Sequence, residues 1–187
     1  MSLTPFRVSQ ATAILECGGI VAYPTEAVWG LGCNPADEGA VEHILALKDR
    51  PRHKGLILVA SEIGQITGII DGLDDAMLSR LEATWPGPTT WLIPHRQRLP
   101  QWITGEHDTV AVRVSAHPVV RALCDAWGGP LVSTSANRSG AREARESYQV
   151  RRFFGPGVDY FVPGRVGATK NPSTIRDLLT DDIIRAG

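Results

Sequence analysis

The chain has 187 residues, of which 43% are apolar and 21% are charged, and its formal net charge is −1. These values are typical of a globular protein, and residues 1–187 are expected to form a single domain. The near-neutral charge argues against a protein that coats nucleic acid through its bulk charge, so any anion site must be local. Three widely spaced cysteines without a C-x-x-C pair indicate a reducing compartment, the cytoplasm, and no structural zinc site.

Strands and helices alternate along the first half of the chain. Gly18-Gly19 stops the first helix, Pro24 closes the first strand, and Asp37 is a candidate N-cap for the second helix. The predicted elements are a helix over 6–17, a strand over 20–23, a loop over 24–35, a helix over 38–48, a strand over 56–60 and a helix over 74–85.

The same alternation continues in the second half. The predicted elements are strands over 89–93 and 109–114, a helix over 118–127, a strand over 131–134, a short helix near 147–154 and strands near 159–162, 173–176 and 182–185. The order predicts an α/β fold, in which helices flank one twisted sheet of mixed strand direction. The segment 138–152 carries five Arg and two Glu and is expected to be an exposed loop or flap.

Several common classes of protein are excluded by absent motifs. The chain has no G-x-x-x-x-G-K-[ST], no G-x-S-x-G and no H-E-x-x-H, and Gly30-Leu31-Gly32 lacks the third glycine of a dinucleotide fingerprint. The five histidines show no metal-ligand spacing. No stretch approaches the roughly 18 apolar residues of a membrane span, and the N-terminus has no signal-peptide pattern, so no membrane partner is expected.

Polar clusters follow or begin the predicted strands, where open α/β sheets place their sites. The first cluster is Tyr23-Pro24-Thr25-Glu26, in which Thr25 offers a hydroxyl and Pro24 stiffens the backbone. A plain strand-to-loop turn would explain the same residues. Thr90 and Arg113 lie in further candidate segments of this kind, 85–90 and 111–113.

The segment 48–54 combines four cations, counting Lys and Arg, with one acid. Cations at the end of a helix interact favourably with its dipole, which is one explanation for this segment. The cations continue beyond the helix, however, into a loop that Pro51 stiffens. Lysine supplies a point charge and arginine a planar fork, and together they suit a polyphosphate.

Hydroxyls are concentrated in two later segments. Ser133-Thr134-Ser135-Ala136-Asn137 ends one strand, and Asn171-Pro172-Ser173-Thr174-Ile175 begins another. Buried hydroxyls need hydrogen-bond partners, which a ligand, an N-cap or an Asx turn could supply. The clusters together lack a nucleophile with a paired base, and they offer cations, hydroxyls and amides. Such groups bind a nucleotide and a small polar acid, and they stabilise charge at phosphorus.

The order of these motifs resembles the YrdC/TsaC family of threonylcarbamoyl-AMP synthases from about residue 8 to the C-terminus, and the length resembles the short bacterial form. The series is Tyr23-Pro24-Thr25-Glu26, Gly30-Leu31-Gly32, Lys48-x-Arg50, Gly87-Pro88-x-Thr90, Ser133-x-Ser135-Ala136-Asn137-x-Ser139-Gly140 and Pro172-Ser173-Thr174-Ile175. Gly55 stands where many relatives have Pro, and Val59 where some have a His near the amino acid.

The resemblance implies an enzyme that makes L-threonylcarbamoyladenylate and pyrophosphate from L-threonine, bicarbonate and ATP. Mg²⁺ is expected with the ATP phosphates, and no residue of the chain is assigned as a metal ligand. The product would pass to downstream threonylcarbamoyl-transferase proteins for the t6A modification at position 37 of tRNAs that read codons beginning with A. The implied fold has a concave, positively charged cavity.

Site residues are carried over by position from the family. The implied ATP-binding residues are Lys48, Arg50, Lys54, Thr90, Ser135, Asn137 and Arg185. The implied threonine-binding residues are Thr25, Arg113, Ser133 and Ser173. Catalysis is assigned to Lys48, Arg50, Ser135 and Asn137.

Two other functions fit part of the sequence. A module that binds structured RNA in ribosome or tRNA maturation would use the arginine-rich segment 138–152. A carbamoyl-transfer domain, like that of hydrogenase-maturation proteins, would share the fold, but the chain has no acylphosphatase or zinc-finger region.

Overall fold

The computed structural model describes residues 3–138 and 140–187. The helices are α1 (Pro5–Glu16), α2 (Glu38–Lys48), α3 (Thr67–Ile70), α4 (Asp75–Thr84), α5 (Gln101–Thr104), α6 (Pro118–Trp127) and α7 (Ser147–Phe154). The strands are β1 (Val21–Pro24), β2 (Trp29–Gly32), β3 (Ile57–Ala60), β4 (Thr89–Pro94), β5 (Thr109–Val114), β6 (Leu131–Ser135), β7 (Tyr160–Phe161), β8 (Thr174–Asp177) and β9 (Ile183–Arg185). All the predicted elements are present, with ends that differ by at most one residue.

The strands form one sheet in the order β7-β1-β2-β6-β3-β5-β4-β8-β9. The pairs β1–β7, β3–β5 and β4–β8 are parallel, and the remaining neighbours are antiparallel. The prediction of an α/β protein with a mixed sheet is therefore confirmed. Strand β6 lies between β2 and β3 and ends at Ser135, so its C-terminal hydroxyls lie near the middle of the sheet.

Apolar cores cover both faces of the sheet. Because side chains alternate along a strand, Leu58 and Ala60 pack into the core under α2, while Val59 packs into the core under α1 and α6. Burial on both faces explains why the strands are nearly continuous apolar runs.

Strand β2 was not predicted, since its residues lie in the expected loop over 24–35. Its sequence, Trp29-Gly30-Leu31-Gly32, is half glycine, and glycine is disfavoured in strands. The structure explains Gly32: a Cβ there would lie 2.6 Å from the Val132 carbonyl oxygen and 2.7 Å from the Tyr23 ring. The fold needs glycine at this point so that the central strands can approach closely.

Helix α2 begins at the N-cap residue that the sequence predicts. The Asp37 carboxylate accepts a 3.0 Å hydrogen bond from the Ala40 amide, which confirms the predicted N-cap. The helix ends at Lys48, and the C-cap residue Asp49, with a φ of 52°, turns the chain out of the helix. Arg50 therefore leaves the helix axis and enters the loop that leads to β3.

The arginine-rich segment 138–152 is mostly exposed where the structure describes it, as predicted. Ala144 is an exception, because its amide and carbonyl bond to the Ala136 oxygen and the Trp29 amide, at 3.3 and 2.7 Å. These bonds anchor the middle of the segment to the sheet. Ser139, the last serine of the motif that begins at Ser133, lies outside the described residues.

Candidate active site

Two adjoining pockets lie over the sheet face that α1 and α6 cover only in part. Ile57 and Ser133 are direct neighbours in the register of β3 and β6, and Val59 is the neighbour of Arg113 on β5. Neighbours in register point to the same face. Helix α6 covers this face around Val59, and the uncovered remainder forms the floor of a groove. The two pockets share Ile57, Thr134 and Ser135.

We call the first cavity, of about 60 Å³, the inner pocket. Its polar lining is Thr25, Glu26, Thr90, Arg113, Ser133, Thr134, Ser135, Thr169, Asn171 and Ser173. Its apolar lining is Ala27, Val28, Ile57, Val59, Pro88 and Pro172. This combination suits a small molecule that carries both polar groups and a short aliphatic part.

Buried hydroxyls of the inner pocket are held in place by short hydrogen bonds. The Thr25 hydroxyl donates to the Val28 carbonyl oxygen at 2.8 Å, and the Thr90 hydroxyl donates to the Ser173 hydroxyl oxygen at 2.8 Å. Ser133 is also buried. Since Ser173 accepts from Thr90, its own proton is available to a ligand.

Glu26 and Arg113 are the charged side chains of the inner pocket. Their closest atoms, Glu26 Oε2 and Arg113 Nη2, are 3.3 Å apart, and both side chains are largely buried. The other carboxylate oxygen accepts from the Ser115 hydroxyl at 2.6 Å and from the Ala116 amide at 3.2 Å. Burial by itself would raise the pKa of Glu26, but Arg113 and the Ser115 bond outweigh it and hold the pKa below its usual value.

We call the second cavity, of about 320 Å³, the cationic pocket. Arg50, Lys54, His107 and Arg185 lie around it, and Leu92, Ile103, Ile175 and Ile184 supply apolar surface. The Arg50 guanidinium donates to the carbonyl oxygens of Gly55 and Lys54, at 2.9 and 3.2 Å, which fixes its direction. The cations can bind an anion, and the apolar surface can bind a flat ring.

Arg185 links the two pockets. Its guanidinium donates a 2.8 Å hydrogen bond to the carbonyl oxygen of Ser173, which lines the inner pocket. Strand β9, which carries Arg185 and lines the cationic pocket, is therefore bonded to a segment that lines the inner pocket.

Lys48 is buried next to the turn that follows β6. Its ammonium donates to the carbonyl oxygens of Ser135 and Asn137, the latter at 2.6 Å. The Ser135 hydroxyl donates to the Asn137 side-chain oxygen at 2.6 Å, and the Asn137 amide donates to the Ala141 carbonyl oxygen at 2.7 Å. Burial, with a contribution from Arg50, lowers the pKa of Lys48 to about 8.

The structure brings nine of the eleven site residues implied by the resemblance to the lining of the groove. Arg50, Lys54, Ser135 and Arg185 line the cationic pocket, and Thr25, Thr90, Arg113, Ser133, Ser135 and Ser173 line the inner pocket. The resemblance implied that Thr90 binds ATP. In the structure Thr90 lines the inner pocket, where its hydroxyl bonds to Ser173. Lys48 and Asn137 line neither pocket and support the turn that carries Ser135.

Several lining residues were not predicted as site residues, among them Glu26, Thr134, Thr169 and Asn171. Glu26 was part of a singled-out motif, and its unusual signal is an acid directly after a buried strand. Thr169 has its backbone amide 3.2 Å from the Glu26 carbonyl oxygen, and the Gly167 amide likewise bonds to the Thr25 oxygen at 2.9 Å. These bonds fold the segment 164–171 over the inner pocket, a contact that no local sequence pattern reveals.

Across the described ranges, 3–138 and 140–187, no cluster of three or more His, Cys, Asp or Glu side chains is placed to hold a metal ion. Within those ranges, none of the helices combines the length and the apolar character that crossing a membrane requires.

Known proteins resemble this chain over almost its whole length. The Sua5/YciO/YrdC family model, described as telomere recombination, matches residues 13–187. The threonylcarbamoyl-AMP synthases of Stutzerimonas stutzeri and Cellvibrio japonicus are 53% and 54% identical to the chain, covering 96% and 98% of it and 97% of each relative. The crystal structure of P. abyssi Sua5 complexed with L-threonine superposes with a TM-score of 0.91 at 30% identity. That match covers 99% of the chain and 55% of the P. abyssi protein, so the chain spans about half of that protein's length.

The match of the family model over almost the whole chain, and identities above 50% over nearly the full length of both relatives, lead to one conclusion. The chain belongs to the Sua5/YciO/YrdC family.

Proposed function

We propose that the chain is a threonylcarbamoyl-AMP synthase, which forms L-threonylcarbamoyladenylate and pyrophosphate from L-threonine, bicarbonate and ATP. The observation that carries this proposal is one groove with a small polar pocket directly beside a larger cationic pocket, sharing the wall at Ser135. Two curated relatives with this name match the chain over 97% of their own length. The P. abyssi relative with L-threonine bound supports the choice of amino acid.

The inner pocket is our proposed site for L-threonine. The arginine side chain of Arg113 is a planar donor that fits a carboxylate, and the hydroxyls of Thr25, Ser133 and Ser173 suit the polar atoms of the amino acid. Ile57 and Val59 offer apolar contact for the methyl group. The proposed pocket therefore matches each part of a small hydroxylated zwitterion.

The cationic pocket is our proposed site for ATP. Arg50, Lys54 and Arg185 carry the positive charge that a triphosphate needs, and Leu92 and Ile184 offer apolar surface to the base. In this arrangement the α-phosphate would lie near Ser135, at the wall that both pockets share. Lys48 and Asn137 would act indirectly, because their hydrogen bonds hold the turn that carries Ser135.

The proposed reaction has two bond-forming steps. The threonine amine and bicarbonate first give an N-carboxylate, with loss of water and a proton. A carbamate oxygen then attacks the α-phosphorus, a P–O bond forms, and the bond to the β-phosphate oxygen breaks to release pyrophosphate. Positioning of both substrates and neutralisation of charge by Arg50 and Lys54 account for the rate.

Mg²⁺ is proposed to enter with the ATP phosphates. The cations around the larger pocket suit an anionic metal–nucleotide complex, and the carboxylate of the inner pocket, Glu26, is already paired with Arg113. No residue of the chain is therefore assigned as a ligand. When bound, the metal would neutralise part of the phosphate charge.

The proposed product is a mixed anhydride, which must pass to an acceptor. We propose that downstream threonylcarbamoyl-transferase proteins use it in the cytoplasm for the t6A modification at position 37 of tRNAs that read codons beginning with A.

One assay tests the proposal. The purified protein is incubated with ATP, L-threonine and bicarbonate, and pyrophosphate is followed. We expect release that requires both threonine and bicarbonate, and a product with the mass of threonylcarbamoyl-AMP. Release with carbamoyl phosphate in place of those substrates would favour the carbamoyl-transfer alternative. Tight RNA binding without any release would favour the RNA-binding alternative.

A further inference from the structure

Glu26 lies between the inner pocket and the start of α6. One carboxylate oxygen is bound by the Ser115 hydroxyl at 2.6 Å and the Ala116 amide at 3.2 Å, and the other faces Arg113 Nη2 at 3.3 Å. The Ser115 oxygen also accepts from the His117 amide at 3.1 Å. A chain of contacts therefore runs from the first turn of α6, through Glu26, to the guanidinium.

The Arg113 guanidinium is incompletely paired within the described part of the protein. Its Nε and the Glu26 Oε2 are buried, and neither has a hydrogen-bond partner that meets ordinary geometry. A buried guanidinium carries five N–H donors, and leaving them unpaired in a dry site is costly. The free donors of Arg113 therefore favour an anionic ligand in the inner pocket.

The charge of the pocket depends on Glu26. With Glu26 ionised, the pair is neutral, and Arg113 can stay buried in the empty site at lower cost. Without that charge, Arg113 is a lone buried cation, and rotation toward solvent or toward the groove becomes favourable. The Glu26 carboxylate thus restricts the orientation of the Arg113 guanidinium and balances its positive charge inside the pocket.

Resting on the proposed function, we propose that Glu26 is a positioning residue for the amino acid: it holds the Arg113 guanidinium so that its free N–H groups receive the carboxylate of L-threonine. Glu26 does not contact the phosphates, since it does not line the cationic pocket. Its loss therefore affects the amino acid and leaves ATP binding unchanged.

The backbone and the side chain of Glu26 make different contacts, so a substitution can test the side chain alone. Its carbonyl oxygen accepts from the Thr169 amide, and this bond survives any change of the side chain. Glu26→Gln keeps the shape and an oxygen for Ser115, but it removes the charge and places an amide donor near Arg113. Ser115→Ala keeps the charge and removes the bond that orients it.

Binding of L-threonine by isothermal titration calorimetry, without nucleotide, gives the direct readout. We expect Glu26→Gln to weaken threonine binding by about tenfold or more, as for loss of one partner of a buried charge pair. Ser115→Ala should give a smaller loss in the same direction. The matched control is Asp71→Asn, which removes the carboxylate of the exposed Arg98–Asp71 pair and should leave binding unchanged.

Steady-state kinetics and a double variant separate positioning from a merely structural role. Glu26→Gln should raise the KM for threonine and leave the KM for ATP within about twofold. In an Arg113→Lys background, the effect of Glu26→Gln should largely disappear, because the group through which it acts is gone. Equal losses for both substrates, or fully additive effects, would overturn the inference.

The two proposals fail in different ways. If the wild-type protein binds threonine but releases no pyrophosphate, the proposed function fails and the role of Glu26 still stands on the binding data. If the wild-type protein releases pyrophosphate and Glu26→Gln binds threonine as tightly as the wild type, the role of Glu26 is wrong and the proposed function stands.

Discussion

The ammonium of Lys48 donates a 2.6 Å hydrogen bond to the carbonyl oxygen of Asn137, 89 residues further along the chain. The same ammonium bonds to the Ser135 carbonyl oxygen. This relationship links the end of α2 to the end of β6, which lies between β2 and β3. Lys48 therefore stabilises the turn that carries Ser135, which lines both pockets. Arg50, two residues later, lines the cationic pocket.

Lys48→Met is therefore expected to reduce both activity and stability. The substitution keeps an apolar stem but leaves two carbonyl oxygens without their shared donor, which costs about 1–3 kcal/mol for each buried group left unpaired. Displacement of Ser135 should lower kcat/KM by about a hundredfold. Thermal unfolding and the pyrophosphate assay measure the two effects, and full activity with an unchanged Tm would contradict this role of Lys48.

Arg50→Ala should behave differently, because its side chain is only partly buried and bonds to nearby carbonyls of its own loop. We expect a large loss of kcat/KM for ATP, about a hundredfold, with a Tm close to that of the wild type. The comparison with Lys48→Met separates a residue of the pocket from one that supports it. Retention of full turnover by Arg50→Ala would remove it from the proposed phosphate site.

The lowered pKa of Lys48 also predicts that the free energy of unfolding depends on pH. Its pKa is lowered from 10.5 to about 8 in the folded protein, so folded and unfolded chains both carry the proton below pH 8. Between about 8 and 10.5 the folded state has lost the proton that the unfolded state still binds. The contribution of Lys48 to the free energy of unfolding therefore rises across this window and is constant above it.

Urea unfolding of the wild type and of Lys48→Met, at several pH values between 7 and 11, measures this contribution as the difference between the two curves. The difference should change in favour of the wild type as the pH rises through the window. A difference that is flat with pH would show that Lys48 titrates normally.

Gly32→Ala should destabilise the protein, because the added Cβ would meet the Val132 carbonyl oxygen at 2.6 Å and the Tyr23 ring at 2.7 Å. Overpacking of this kind costs about 1–3 kcal/mol. Gly129→Ala is the matched control, since a Cβ there has nothing within 4 Å. Equal unfolding free energies for the two variants would show that the sheet accommodates the methyl group.

Most of the elements could be predicted in their order because they have strong local signals, while the four-residue helices α3 and α5 were not predicted. Helix α2 begins at an aspartate that caps it, and the buried strands are short apolar runs between turn residues. Strand β2 could not be predicted in the same way. Gly32 is required by the closeness of the Val132 carbonyl oxygen, and Val132 lies 100 positions beyond Gly32 in the chain.

The alternation of strands and helices and the chemical types at the strand ends follow from local sequence, since periodicity, caps and motifs are local properties. Which of those side chains share a pocket depends on the packing of distant segments. The strand order puts β6 between β2 and β3, so Ser133 and Ser135 meet residues from distant segments. It also paired Glu26 with Arg113 and directed the Lys48 ammonium to the carbonyl oxygens at the end of β6, because packing across the sheet sets the direction of a side chain.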